Sequence, residues 1–233
     1  MKKVFILLIV LIIIGGGVYY YLSTQKAEPD SRPGLKINPE ELIVFEVKKE
    51  NMSEYQKDNA FQLFTNAKNI ISSNKESGYD NEDDANYYAW LEIASAQKLI
   101  GDYERVEKLW LWFTEVYPGN SISPANLGDF YKSFVVDREK SEKYYQIALE
   151  REEHDFQIYY GFYELYRYVF EDEDKAIAVL EDGIKNNPDS KNYVNELVSY
   201  LLEIDRKQKA SEVIEAWIEN HPEDYSMRVK LEG

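Results

Sequence analysis

The chain has no cysteine among its 233 residues. That removes disulfides, thiolate chemistry, cysteine zinc sites and the acylated cysteine of a lipoprotein, while leaving the compartment open. Histidine is nearly as scarce. His154 and His221 each fall between helical segments, and no H-E-x-x-H or other metal spacing occurs. The 11 glycines form no P-loop or dinucleotide motif, Gly15, Gly16 and Gly17 belonging to an apolar run, and no G-x-S-x-G elbow is present. Nothing here calls for a cofactor or a metal, and the chain reads as a non-enzyme. Positive charge is short as well, with 27 basic against 43 acidic residues and a net charge of −16. Without residues 1–29 the balance is 24 against 42, or −18. A body this acidic repels phosphate, so nucleic acid and anionic headgroups are excluded as its partners. The same excess of carboxylate keeps a helical array soluble. The 7 prolines and 11 glycines sit mostly at segment ends or near the N-terminus, which favours long helices over many short strands.

The first residues carry the one long apolar run. After Met1-Lys2-Lys3, residues 4–22 read VFILLIVLIIIGGGVYYYL without a charge. As a helix they reach roughly 28 Å, close to the hydrocarbon thickness of a bilayer. Tyr19, Tyr20 and Tyr21 come where such a helix meets the far interface, and the leading lysines hold the N-terminus in the cytoplasm. Residues 1–22 are therefore expected to be a single-pass transmembrane signal-anchor in the cell membrane, with the rest extracytoplasmic. A cleaved signal peptide is the second reading: residues 4–14 form an apolar core and three glycines follow, although no A-x-A-like site does. Residues 23–39, with three prolines among charged and small polar groups, read as a flexible spacer.

Residues 40–85 read as a capping helix region. ELIVFEV at residues 41–47 is too short for periodicity to separate strand from helix, and is expected to cover the edge of the first helix pair. Ser53 and Gln56 fit a capping box, and Ala60, Leu63, Phe64, Ala67, Ile70 and Ile71 share one face of a helix of about five turns. NKESGYDNEDD at residues 74–84 alternates carboxylates like a calcium loop, but lacks the required glycine and the closing glutamate, so it reads as a solvated acidic loop.

From residue 86 the chain repeats. Pro118, Pro188 and Pro222 each close an amphipathic segment, and equivalent positions recur at 34 or 35 residues. One column is small or modest (Val106, Ser141, Ala176, Ala210), another large and apolar (Trp110, Tyr145, Leu180, Ile214), and a third reads Ile93, Leu127, Phe162, Leu197. Such a period marks a solenoid, whose units bury their apolar faces only by stacking. The segments are predicted as helix pairs over 87–99 with 102–116, 122–135 with 138–152, 157–169 with 173–186, and 191–203 with 206–220. Asp137, the acidic run 171–174 and Asp205 open second helices, where carboxylates complement the positive helix end.

Trp90, Gly101, Tyr103, Trp110 and Pro118 stand as in the tetratricopeptide repeat (TPR), and Pro124-Ala125-Asn126-Leu127-Gly128 with Tyr131 resembles the first helix of such a unit. The later units lack the turn glycine, and Glu153 replaces the closing proline. The resemblance covers about residues 86–222 and implies four TPR-like repeats in an all-α, right-handed solenoid of antiparallel helix pairs, followed by a C-terminal capping segment over 223–233. For function it implies binding of a protein or peptide. Solenoids bind on the face lined by their first helices. There the candidate residues are Tyr88, Lys98, Lys132, Tyr160, Arg167, Tyr168, Asn192 and Asn195, beside Ser95, Asp129, Glu164 and Ser199. Lys98, Lys132 and Arg167 form a row of cations expected to meet a partner's carboxylates. The plainer reading is that Asp129 with Lys132, and Glu164 with Arg167, are i,i+3 pairs worth about 0.2–0.5 kcal/mol each. The chain is thus expected to be a membrane-anchored scaffold. A spacer or oligomerisation module without a dedicated ligand, or a secreted binding protein if the N-terminus is cleaved, are the alternatives.

Overall fold

A computed structural model of the chain describes residues 10–14, 17–21, 38–73, 85–224 and 226–227. They divide into two compact units, Met1–Lys36 and Ile37–Gly233. In the first, β1 (Val10–Ile14) pairs antiparallel with β2 (Gly17–Tyr21), Val10 facing Tyr21 and Ile14 facing Gly17. This departs from the helix expected over residues 4–22. Five of the ten paired residues are β-branched and three are tyrosine, types that fit a pleated surface. Residues 4–9, 15, 16 and 22, like most of the spacer and the acidic stretch 74–84, lie outside the described residues. Among the described residues no helix is long and apolar enough to cross a membrane.

The second unit opens with a 3-10 turn (Pro39–Leu42) capped by the Asn38 side chain. The run that follows is neither strand nor helix. It is an extended strap held by its backbone. Gln97, fully buried, donates from Nε2 to the carbonyls of Leu42 (2.5 Å) and Val44 (3.1 Å). The amides of Lys48 and Lys49 both donate to the Ile100 carbonyl, at 2.8 and 2.7 Å. Phe45 packs against Phe61 and Phe64 of α1 (Glu54–Ser73), with ring centres 5.2 and 5.3 Å away. The expected capping box is present: Ser53 N–H donates to Gln56 Oε1 (3.0 Å) and Gln56 N–H to Ser53 Oγ (3.2 Å).

Four helix pairs follow: α2 (Ala85–Leu99) with α3 (Tyr103–Val116), α4 (Ile122–Phe130) with α5 (Arg138–Arg151), α6 (Phe156–Glu164) with α7 (Glu173–Asn186), and α8 (Lys191–Glu203) with α9 (Lys207–Asn220). Each helix packs on its neighbours in the chain, from α1 against α2 to α8 against α9, so the pairs stack as an α-solenoid. The repeat columns explain the stacking. Val106, Ser141, Ala176 and Ala210 are buried, as are Trp110, Tyr145, Leu180 and Ile214, and Ile93, Leu127, Phe162 and Leu197. Burying one such aliphatic side chain stabilises by about 1.5–3 kcal/mol, and only the next unit completes the burial. Gly128 is small for a reason: a Cβ there would come within 2.9 Å of the Tyr145 ring.

The turns within the pairs share one conformation. Gly101 (φ 79°), Val136 (55°), Glu171 (50°) and Asp205 (59°) are all left-handed, so the later units keep the turn's geometry without its glycine. Eight residues separate Ile93 from Gly101 and Leu197 from Asp205, but nine separate Leu127 from Val136 and Phe162 from Glu171. The two inner units absorb the extra residue as a π-helical turn, Tyr131–Val135 after α4 and Leu165–Val169 after α6. Asp137 and Asp172 then cap α5 and α7, accepting from the amides of Lys140 and Lys175 (3.1 Å each). Asp205 caps nothing, since Arg206 holds the N-cap position of α9 without a side-chain bond. Asp102 does not cap by its side chain either.

Candidate functional site

The π-helical turns carry the most organised polar cluster of the first-helix face. Lys132, in the first of them, has a side chain only 11% exposed, with Nζ 2.9 Å from Asp129 and 3.0 Å from Glu164 of the next unit. Asp129 also accepts from the Tyr145 hydroxyl at 2.5 Å. Burial pushes the Tyr145 phenol far above its ordinary range, and Asp129 adds to the rise. Arg167, in the second turn, is 15% exposed and reaches forward to Glu203 of α8 at 2.5 Å and to Glu196 at 3.7 Å. It donates to the Tyr163 hydroxyl and lies over the rings of Tyr168 (4.6 Å) and Tyr200 (5.1 Å). Burial opposes its charge, but Tyr163 and Glu203 outweigh that and hold the guanidinium above its usual value. The result is a ladder of charges running from α4 through α6 to α8.

This changes the chemistry expected of the cation row. Two of its three members are already paired, and by more than local contacts. Asp129 with Lys132 is the anticipated i,i+3 pair, whereas Glu164 goes to Lys132 and Arg167 goes to α8. Lys98 stands apart, with Nζ 5.6 Å from the Trp110 ring centre and no ion pair among the described residues. Tyr88 touches Tyr87 edge-on and is 56% exposed. Tyr160 is half-buried against Phe156 and Tyr163, Tyr168 is 57% exposed, Asn192 is exposed and Asn195 half-buried. Thus Lys132, Tyr160, Arg167 and Tyr168 come together around the inner units, while Tyr88 and Lys98 share no contact with them. Sequence reasoning missed Glu196, Glu203, Tyr163 and Tyr200. Tyr163 stands four residues from Arg167, a local helical spacing, whereas Glu196, Tyr200 and Glu203 are offset by about one repeat, which nothing local in the chain reveals.

Elsewhere the polar groups serve the fold. Asp102, fully buried, takes the Lys48 ammonium at 2.9 Å and the Arg105 guanidinium, latching the strap to the first turn. Burial alone would raise its carboxyl, yet those two hydrogen bonds hold it below the ordinary value. His154 contacts Asn187, His221 stacks on Trp217 at 3.6 Å, and no three acids or histidines among the described residues converge as metal ligands would. A cavity of about 400 Å³ between α7, α8 and α9 is lined by Ile184, Val194, Leu197, Val213 and Trp217, with Glu181, Asp189 and His221 also lining it. It shares no residue with the ladder.

No protein-family profile matches the chain, and no curated protein matches it. Among solved structures it is similar to MamA 41-end from Desulfovibrio magneticus RS-1, at 13% identity and a TM-score of 0.45, over 74% of this chain and 96% of that one. It is also similar to a MamA RS-1 ArsTM double mutant, at 13% identity and a TM-score of 0.46, with the same coverage.

Proposed function

We propose that this chain is a membrane-anchored helical-repeat scaffold that binds a protein or peptide partner through the concave face of its first helices. The observation that carries the reading is the ladder. Salt bridges and buried tyrosines fix Lys132 and Arg167 in place, with the exposed ring of Tyr168 in the same π turn as Arg167 and the exposed amide of Asn192 on α8. A surface held rigid in this way loses little entropy when a partner docks. The groups assembled there recognise; none is arranged to react. The scheme of anchor 1–22, spacer 23–39, cap 40–85, repeats 86–222 and C-terminal segment 223–233 belongs to this reading.

The anchor rests on the nineteen uncharged residues 4–22. A two-stranded ribbon leaves unpaired edge groups that hydrocarbon does not tolerate, and a spanning strand needs about 9–11 residues. A bilayer therefore favours the helical form of this segment, with Lys2 and Lys3 in the cytoplasm and the repeats outside. Retention in the membrane fraction after alkaline carbonate, with a mature N-terminus at Met1, is the expected result. A mature start at Val18 would make the segment a signal peptide.

Photo-crosslinking tests the binding face. With p-benzoylphenylalanine replacing Tyr168 in the full-length chain in its native membrane, a defined protein adduct is expected. The same probe at Glu150, an exposed position of α5, should give none. Adducts from Glu150 alone would remove the concave face from consideration. Adducts joining only copies of this chain would support the oligomerisation alternative.

A further inference from the structure

The ladder also indicates the charge of what binds, an inference that rests on the concave face being the binding face. We propose that the partner presents an extended, basic segment, with lysine or arginine at about every third residue. Four carboxylates, Asp129, Glu164, Glu196 and Glu203, surround the two cations Lys132 and Arg167. A partner carboxylate would have to displace Glu203 from Arg167, or Glu164 from Lys132. Those are carboxylates the fold itself holds at high effective concentration. An incoming cation displaces nothing. The Asp129 and Glu203 side chains are 55% and 57% exposed, and each carboxylate offers about four lone-pair sites, of which the internal partners occupy only some.

Aromatic rings point the same way. Tyr168 is 57% exposed and already hosts one guanidinium, the arrangement by which tyrosine receives cations. The charge of −16 on the whole chain steers a basic segment towards it and an acidic one away. The spacing follows from the stacking. Packed helices lie about 8–10 Å apart, and an extended chain advances about 3.3 Å per residue, so a cation at every third residue meets one unit after another.

The test is fluorescence anisotropy on the full-length chain in neutral detergent, with labelled twelve-residue peptides (Lys-Ser-Ala)4 and (Glu-Ser-Ala)4 as probes. The basic peptide should bind about tenfold tighter or more than the acidic one. Glu164→Gln with Glu203→Gln should weaken it about fivefold or more, while the charge-matched pair Glu150→Gln with Glu215→Gln, at exposed positions of α5 and α9, should change it less than about twofold. Thermal unfolding of each variant shows that it remains folded. Equal losses in the two pairs would reduce the binding to bulk charge and overturn the proposal. Tighter binding of the acidic peptide, abolished by Arg167→Gln, would reverse the polarity yet leave the concave face standing. Binding of neither peptide also overturns the basic partner, and the Tyr168 crosslink then decides the face independently.

Discussion

The two inner units and the two outer ones solve the same turn differently. In the first and last units the first helix runs straight into a left-handed residue, Gly101 or Asp205. In the second and third, one extra residue winds a π-helical turn before Val136 or Glu171. The cation columns divide along the same line. Lys132 and Arg167, within the π turns, are largely buried and paired to the next unit, whereas Lys98 in the first unit has no ion pair among the described residues and the last unit carries Leu202, 46% exposed. A one-residue insertion that could have been a defect is where the paired charges of the first-helix face sit.

The ends of the stack need a different device, and there the largest loss is expected. Asp102→Ala removes a buried carboxylate from Lys48 and Arg105 and frees the strap, costing about 3 kcal/mol in urea unfolding. The same group gives a pH dependence. Because its folded value lies below the ordinary one, its contribution is complete above about pH 4 and disappears as the pH falls through the folded value. Wild type should therefore lose stability on acidification more steeply than Asp102→Asn.

Exchanging residues between the two kinds of turn separates their costs. Gly101→Val puts the inner unit's residue into the sealed outer turn. Its Cβ would lie 3.0 Å from the Lys49 backbone nitrogen at φ 79°, and a loss of about 2 kcal/mol is expected. Deleting Ser133, an exposed residue of the first π turn, shortens an inner unit to the outer spacing and places Val135 where Ile100 and Ile204 stand. Stability should fall by only about 1 kcal/mol with helicity kept, while the affinity of the basic probe drops. A chain that no longer unfolds cooperatively would break the equivalence of the two turn forms. The smallest effect is a gain: Val136→Gly relieves a β-branched residue at φ 55° that is 63% exposed, and should raise stability by about 0.5–1 kcal/mol.

Much of the fold was legible in the sequence, because burial columns at a fixed period are local signals. The Trp110 and Ile93 columns, the Ser53–Gln56 box and the bounds of eight paired helices all rest on 3.6-residue spacing. The π turns were visible only as a repeat of 35 where 34 also occurs, and spacing alone does not say where the extra residue goes. The strap was ambiguous because its bonds run to Gln97 and Ile100, about fifty residues away. The charge pairs that cross from unit to unit were illegible for the same reason. Lys132 and Arg167 stood out as a row, with Asp129 as a local partner of Lys132, but Glu164, Glu196 and Glu203 reach these cations from the following unit.

Amide hydrogen exchange on the full-length chain, with and without the partner captured through Tyr168, decides whether the partner docks on the first helices. Slowed exchange is expected across α4, α6 and their π turns, with α5 and α7 unchanged beyond any global gain in stability. Slowing confined to α5, α7 and α9 would instead move the binding surface to the outer helices.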